Sequence, residues 1–171
     1  MDKITGTVTY QYQLLRYQHD VATGEFVNVG LVYFDTQTHF LRTRMLKKLE
    51  RIALFFGEVE EEHLLRTFKG LENEFNRLAK SLNNDAAFRH FSSVKELTSS
   101  VLPPNDNALS FSPIFKGIDF DHNNSFNDLY HNLIGKYNGE AHEEPVFLSF
   151  DGNEIQKIAQ KNEASLSHVL V

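Results

Sequence analysis

The stretch that decides the fold is GEFVNVGLVYFD, residues 24–35. It starts at a turn-type glycine, Gly24, and continues as an apolar run that is typical of a buried β-strand. Two residues interrupt the run: Asn28 places an amide among apolar neighbours, and Gly30 contributes no side chain. A buried amide has to be hydrogen-bonded, because leaving it unpaired costs about 1–3 kcal/mol. The interruption therefore indicates either a structural feature of the sheet or a binding site.

The segments around this strand predict an antiparallel sheet. Residues 7–17, TVTYQYQLLRY, alternate between the two faces of a strand, and residues 38–44, THFLRTR, form another short strand. Short turns join both segments to the strand at 26–35, which favours a three-stranded antiparallel meander. Two further strands are predicted at residues 108–114 and 145–150.

The apolar period changes after Met45 to steps of three and four, which predict helices. The first helix ends at Gly57, and the second carries a stripe of Leu and Phe between residues 64 and 82. Other helices are predicted around residues 94–97, at 125–137 and at 151–160. The fold class is therefore α+β, with an antiparallel sheet that begins with a three-stranded meander and with helices packed on one face.

Length and composition limit the classes of protein to which the chain can belong. The 171 residues favour a single domain over residues 1–171, with a core rich in Phe and Tyr. The chain has no Cys, no signal-peptide pattern and no long apolar run, which favours a cytoplasmic protein without a membrane span or Cys-based chemistry. A net charge of −6 is unfavourable for a broad nucleic-acid-binding surface.

The first candidate binding residues are Arg16, Glu25 and Asn28, which lie within a few residues of one turn. One interpretation is structural: Asn28 satisfies backbone groups at a bulge or loop, Arg16 and Glu25 form an ion pair, and Gly30 admits a close neighbour. The other interpretation is a pocket in which Arg16 binds an anion or a carboxylate. The register of the two strands would decide between them.

The second candidate set is a basic cluster that follows along the chain. Its members are Arg42, Arg44, Lys47, Lys48 and Arg51. Five positive charges could contact phosphates, although a solvated helical face is the commoner outcome for such a pattern. An acidic partner protein fits the same charges equally well.

The third candidate is the segment DFDHNN, residues 119–124, in a predicted loop. Asp119, Asp121 and His122 are weak candidates for metal ligands, since carboxylate oxygens and imidazole suit hard or borderline ions. The spacing does not fit a Ca²⁺-binding loop. A helix N-cap at one of residues 123–125 explains the segment more simply.

The segment YQLLRYQHDVATGEFVNVGLVYFD resembles the signature of a bacterial family known as domain of unknown function 3037 (DUF3037). FLRTR and LSFSPIFKGIDFD are similar to later segments of the family, so that the resemblance covers about residues 8–137 and leaves a C-terminal strand and helix extension at 138–171. Members can lie beside genes for kinase toxins of the HipA type, which implies a regulatory or toxin–antitoxin accessory role. The residues that match the first motif are Arg16, Glu25, Phe26, Val27, Asn28, Val29 and Gly30.

No recognised nucleotide-binding loop, nucleophile motif or metal-binding His spacing occurs in the chain. The sequence therefore favours a non-enzymatic protein-interaction or regulatory module, with no cofactor and with another protein as its partner. The alternative is a nucleic-acid-binding or nuclease-like protein that uses the Arg42–Arg51 patch, with Asp35, Asp119 or Asp121 as metal ligands.

Overall fold

The computed structural model describes residues 6–104 and 108–142, so the strand and helix predicted at 145–150 and 151–160 lie outside the described residues. Two short 3₁₀ turns, Ala86–Phe88 and Gly135–Asn138, accompany the regular elements. In chain order the described strands and helices are β1 (Val8–Tyr17), β2 (Val27–Phe34), β3 (Leu41–Met45), α1 (Glu50–Phe56), α2 (Glu61–Asn84), α3 (Val94–Val101), β4 (Leu109–Phe111), β5 (Phe115–Asp119) and α4 (His122–Leu133).

The strands form one antiparallel sheet in the order β3-β2-β1-β4, and β5 also pairs with β1. The predicted three-stranded meander and the α+β class are therefore confirmed. β4 pairs with residues 15–17 of β1 and β5 pairs with residues 8–12, so both strands lie along the same edge of β1. Ser112 bridges the gap between them, because its hydroxyl accepts from the Leu14 N–H and its own N–H donates to the Leu14 carbonyl, each at 2.9 Å.

The sequence pattern predicts a loop rather than a strand at residues 116–124, and this prediction is wrong for residues 116–119, which belong to β5. Lys116, Gly117 and Asp119 are all poor strand formers, so local propensity gives no strand signal there. Pairing with β1 overrides that propensity, because Tyr12 lies opposite Phe115 and Tyr10 lies opposite Gly117. The ring of Tyr10 lies directly over Gly117, in space that a Cβ would fill.

Helices cover both faces of the sheet. On one face, Gln11 accepts from the Val94 N–H at 3.0 Å and Gln13 accepts from the Thr98 hydroxyl at 2.6 Å. These two hydrogen bonds hold α3 against β1. On the other face, the Tyr33 hydroxyl lies 2.8 Å from the Ser125 hydroxyl of α4. The expected packing on one face holds for α2 and α3, and α4 adds a layer on the opposite face that the sequence pattern did not predict.

The Leu and Phe stripe of α2 forms much of the core, as its spacing predicts. Leu64, Phe68, Phe75 and Leu82 are all buried in the structure. The Phe75 ring meets the ring of Phe111 on β4 at a centroid distance of 6.2 Å and an interplanar angle of 87°. Edge-to-face aromatic pairs of this kind add to the stabilisation from burial.

The first residues of α1 and α4 differ from those that the sequence pattern predicts. Met45 belongs to β3, and the Leu46 N–H still donates to Val29 at 2.8 Å, so α1 begins only at Glu50. α1 does end at Gly57, whose φ of 80° favours glycine. The cap of α4 is Asp121, whose side chain accepts from the Asn124 N–H at 2.8 Å, rather than any of residues 123–125.

Steric contacts require a glycine at position 30. A Cβ at this position would overlap the sulfur of Met45 and would lie 3.3 Å from the Leu15 Cβ, inside a closed core. We expect Gly30→Ala to lower the free energy of unfolding by about 1–3 kcal/mol, because the core has to shift to admit a methyl group. Chemical denaturation measures this change, and the Met45→Ala background should reduce it because the overlapping sulfur is gone.

Gly70 provides the matched control, because a Cβ at this position on α2 would meet nothing within 4 Å. Gly70→Ala should raise stability by about 0.5–1 kcal/mol through the higher helix propensity of alanine. Equal effects of alanine at the two glycines would contradict the assignment of Gly30 to a closed packing position.

Candidate functional site

The family signature forms a corner at one end of the sheet. Leu15 pairs with Gly30 whereas Arg16 pairs with Asn28, so the register shifts by one residue and leaves a β-bulge there. The structural interpretation placed Asn28 at a bulge or a loop, and the structure has a bulge there. The predicted Arg16–Glu25 ion pair is wrong: Glu25 is exposed, and the Arg16 guanidinium lies over the Phe26 ring at 4.2 Å.

Two polar atoms in this corner are buried without a hydrogen-bond partner in the described part of the chain. They are the donor Arg16 Nε and the acceptor Asn28 Oδ1. The prediction that Asn28 satisfies neighbouring backbone groups is therefore wrong for its oxygen. The corner carries a complementary donor and acceptor on adjacent strands, and neither Arg16 nor Asn28 lines any of the four best-formed clefts among the described residues.

The first two residues of the basic cluster hold α4 on the sheet. Arg42 lies over the ring of Phe126 at 4.5 Å and donates to the Asn123 Oδ1 at 2.7 Å. Arg44 lies over the ring of Tyr130 at 4.4 Å. Both guanidinium groups are thus part of the contact between β3 and α4, because a cation over an aromatic face is attracted to it.

The other three residues of the cluster lie on α1 or just before it. Lys47 and Lys48 are exposed, and Arg51 lies over the Tyr137 ring at 5.0 Å. The structure therefore does not bring the five side chains together as one exposed basic surface. Arg42 and Arg44 are half-buried against α4, which corrects the expectation of a single patch.

Asp119, Asp121 and His122 point to three different places. Asp119 accepts from the Phe120 N–H at 2.6 Å, Asp121 caps α4, and His122 packs against the sheet. Within residues 6–104 and 108–142, no group of three or more His, Asp or Glu side chains is placed to hold a metal ion. Asp35, the other suggested ligand, is buried and binds His122.

The sequence did not reveal a buried hydrogen-bond network between β2 and α4. The Asp35 Oδ2 lies 3.3 Å from His122 Nε2, His122 Nδ1 lies 3.0 Å from the Tyr33 hydroxyl, and that hydroxyl lies 2.8 Å from the Ser125 hydroxyl. The His122 ring stacks on Phe40 at 4.5 Å with an interplanar angle of 4°. The order carboxylate, imidazole, hydroxyl resembles a hydrolytic triad, but Tyr33 is fully buried and Ser125 is 3% exposed, so no substrate can reach either hydroxyl.

Burial raises the pKa of Tyr33 well above its ordinary value, and the hydrogen bond with Ser125 lowers it by a smaller amount. The folded protein therefore keeps this phenol protonated at alkaline pH, where an unfolded chain would ionise it. The sign of the linkage follows: the stability that Tyr33 contributes is complete below about pH 10 and falls as the pH rises further.

We expect the free energy of unfolding to fall above pH 10 by up to about 1.4 kcal/mol per pH unit for each such tyrosine. In the Tyr33→Phe variant this fall should be shallower, because one protected phenol is removed. Urea denaturation at several pH values between 8 and 11.5 measures both slopes. Parallel slopes in the two proteins would show that Tyr33 ionises as readily in the folded state as in the unfolded one.

The β5 strand forms an exposed apolar edge. Among the described residues, β5 pairs with β1 alone, so the N–H and C=O groups of its outer edge have no strand opposite them. Phe115, Ile118 and Phe120 are 39%, 70% and 76% exposed. Unpaired strand edges with apolar side chains are sites at which another chain can pair.

The edge is held in place by a row of aromatic contacts. Phe115 stacks on Tyr12 at 5.3 Å, and Tyr10, whose ring lies over Gly117, stacks on Tyr33 at 4.6 Å. The row continues into the buried network through the hydroxyl of Tyr33. β5 is therefore a preformed strand rather than one that would have to order on binding.

A separate cleft of about 860 Å³ opens at the end of the sheet where β1 and β4 meet α2. Its floor is apolar and its rim is acidic. The residues that line it are Tyr17, His19, Glu58, Val59, Glu60, His63, Leu64, Thr67, Leu102, Ala108 and Leu109.

Comparison with known families supports the resemblance that the signature suggests. A family profile described as "Protein of unknown function (DUF3037)" matches residues 12–134, more than two thirds of the chain. The chain belongs to the DUF3037 family. The match covers β1 at residue 12 through α4, so the signature corner and the β5 edge are both parts of the DUF3037 region.

A search of curated proteins and a search of solved structures each find no match to this DUF3037 protein. In the part of the chain that the structure describes, no helix is both long and apolar enough to cross a lipid bilayer.

Proposed function

We propose that this protein is a cytoplasmic, non-enzymatic protein-interaction module, and that its contact surface is the outer edge of β5. The observation that carries the proposal is the concentration of exposed Phe115, Ile118 and Phe120 on and directly after β5, a strand whose outer edge pairs with no other described strand. The regulatory or toxin–antitoxin role that the family resemblance implies would require such a contact.

The proposed occupant is an extended segment of a different protein. Main-chain hydrogen bonds to a sheet edge supply affinity in this recognition mode, and side chains on alternate positions supply specificity. Ile118 shares a face with Thr9 and Phe115 shares the opposite face with Tyr12, because directly paired residues project to the same side. A bound strand should therefore carry apolar side chains on both faces.

A second copy of this chain fits the edge less well. β5 has five residues and spans roughly 16 Å. Two such short edges in contact would bury far less than the roughly 1,200 Å² that a stable specific interface needs. A linear segment can extend past β5 and also cover Phe120, which follows the strand.

The test is the selection of twelve-residue peptides from a random library on the immobilised full chain, followed by affinity measurements with variants. We expect selected peptides to bind the wild type and to lose at least about tenfold in affinity to Ile118→Lys or Phe120→Lys, because each places a charge where the partner needs an apolar neighbour. Val21→Lys is the matched control, since Val21 is 66% exposed and lies in the β1–β2 turn.

Three outcomes would contradict the proposal. The library could yield no binder, or the selected peptides could bind the β5 variants as tightly as Val21→Lys. The protein could also form a dimer in sedimentation experiments that Ile118→Lys abolishes, which would identify the occupant as a second copy.

A further inference from the structure

We propose that the cleft between β1, β4 and α2 is a second binding site, and that it takes a basic peptide segment with one large apolar side chain. This site goes beyond the β5 edge, because none of the residues that line the cleft belongs to β5. A protein that binds one partner segment by strand pairing would thereby hold a second segment by side-chain recognition.

The floor of the cleft selects an apolar group. Leu64, Leu102 and Leu109 contribute to it, together with the ring of Tyr17. Tyr17 is held in position, because its hydroxyl lies 2.8 Å from the His19 Nδ1 and its ring meets Phe56 edge-to-face at 5.7 Å. A pocket with an apolar base and a few oriented polar groups is the common form of a ligand site.

The rim of the cleft selects positive charge. Glu58 and Glu60 line it, both are exposed, and neither has an ion-pair partner among the described residues. A neighbouring shallow site on the same rim is lined by Glu61, Glu62 and Arg66 as well. Arg66 pairs with Glu62 at 2.8 Å, and Glu61 has no ion-pair partner in the described part of the chain. The net charge of −6 adds attraction at longer range.

The simpler explanation for these carboxylates is stabilisation of the N-terminus of α2, and it accounts for part of the cluster. Glu61 and Glu62 lie in the first turn, where a helix carries roughly half a positive charge. Glu58 precedes the helix, and Glu60 makes no side-chain capping hydrogen bond. The charge that remains on the rim therefore favours a cationic ligand over the cleft.

The experiment uses three nine-residue peptide libraries on the immobilised full chain. The first has a central Phe flanked by Lys or Arg, the second replaces the basic residues by Glu, and the third keeps the basic residues and replaces Phe by Ser. Mass spectrometry measures the amount of each library that is retained. We expect at least about tenfold more retention of the first library than of the other two at 0.15 M salt, because both the charge and the apolar anchor contribute.

A protein with Glu58→Gln and Glu60→Gln should lose at least about fivefold of this retention, since it keeps the fold and removes the rim charge. Glu74→Gln with Asp128→Asn removes two exposed charges elsewhere and should retain the first library like the wild type. Ile118→Lys should also leave this retention unchanged, so the two proposed sites fail or succeed independently. Equal losses in the two double variants, equal retention of the three libraries, or no retention would overturn the proposal.

Discussion

Replacing Phe126 by alanine should lower the free energy of unfolding by about 3–5 kcal/mol, the usual cost of removing a buried aromatic ring. Phe126 is 0% exposed, and its ring meets the Tyr33 ring at a centroid distance of 6.0 Å. The Arg42 guanidinium lies over the Phe126 ring, 4.5 Å from the centroid. The substitution removes the ring that holds α4 on the sheet, and it also leaves the Arg42 guanidinium without its aromatic partner. Urea denaturation followed by circular dichroism measures the loss.

Phe120→Ala is the matched control for this prediction. Phe120 is 76% exposed and makes no aromatic contact among the described residues, so its removal should change stability by less than about 0.5 kcal/mol. It should nevertheless weaken binding at the β5 edge. If Phe126→Ala were as stable as Phe120→Ala, α4 would not be packed on the sheet as the structure has it.

Replacing Asp35 by alanine should cost about 3 kcal/mol, because a buried carboxylate with several partners is lost at once. The Asp35 Oδ1 accepts from the Gln37 N–H at 2.7 Å and from the Thr38 N–H at 3.2 Å, which shapes the turn after β2. Its Oδ2 lies 3.3 Å from His122. Without the carboxylate, two backbone donors and the imidazole lose their partner inside the protein.

The exposed pair of Asp128 and His142 is the control for the buried pair of Asp35 and His122. The Asp128 Oδ1 lies 2.9 Å from the His142 Nε2. Asp128→Ala should cost less than about 1 kcal/mol, because water replaces the lost partner. Asp35→Asn should be intermediate, since the amide oxygen can still accept in the turn while the charge facing His122 is gone. Denaturation of the three variants in parallel provides the measurement, and equal losses for Asp35→Ala and Asp128→Ala would contradict the buried network.

The sheet and the long helix could be predicted from the sequence because their signals are local. The alternation in residues 7–17 and the Leu and Phe steps between residues 64 and 82 each specify one element and the face it buries. β5 could not be predicted in this way. Lys116, Gly117 and Asp119 have low strand propensity, and the strand depends on pairing with Tyr10 and Tyr12, more than 100 positions earlier.

The candidate site was predictable only in part for the same reason. One of the two interpretations of the signature placed Asn28 at a bulge or a loop, because an amide and a glycine in an apolar strand are local signals. The pairing of Asp35 with His122 joins residues far apart in sequence, and nothing in the local pattern of either residue indicates the other. Arg42 and Arg44 were assigned to a basic surface because the sequence does not show that Phe126 and Tyr130 cover them.

The central claim is that the outer edge of β5 pairs with an extended segment of a partner protein. Backbone amide hydrogen exchange of residues 115–120 tests it most directly, measured for the free protein and with a saturating peptide from the random library. Pairing should slow exchange at the outward-facing amides of this segment by at least about tenfold and leave the first turn of α2 unchanged, because a new strand protects the groups it hydrogen-bonds. Unchanged exchange at residues 115–120 in the saturated complex would contradict the claim.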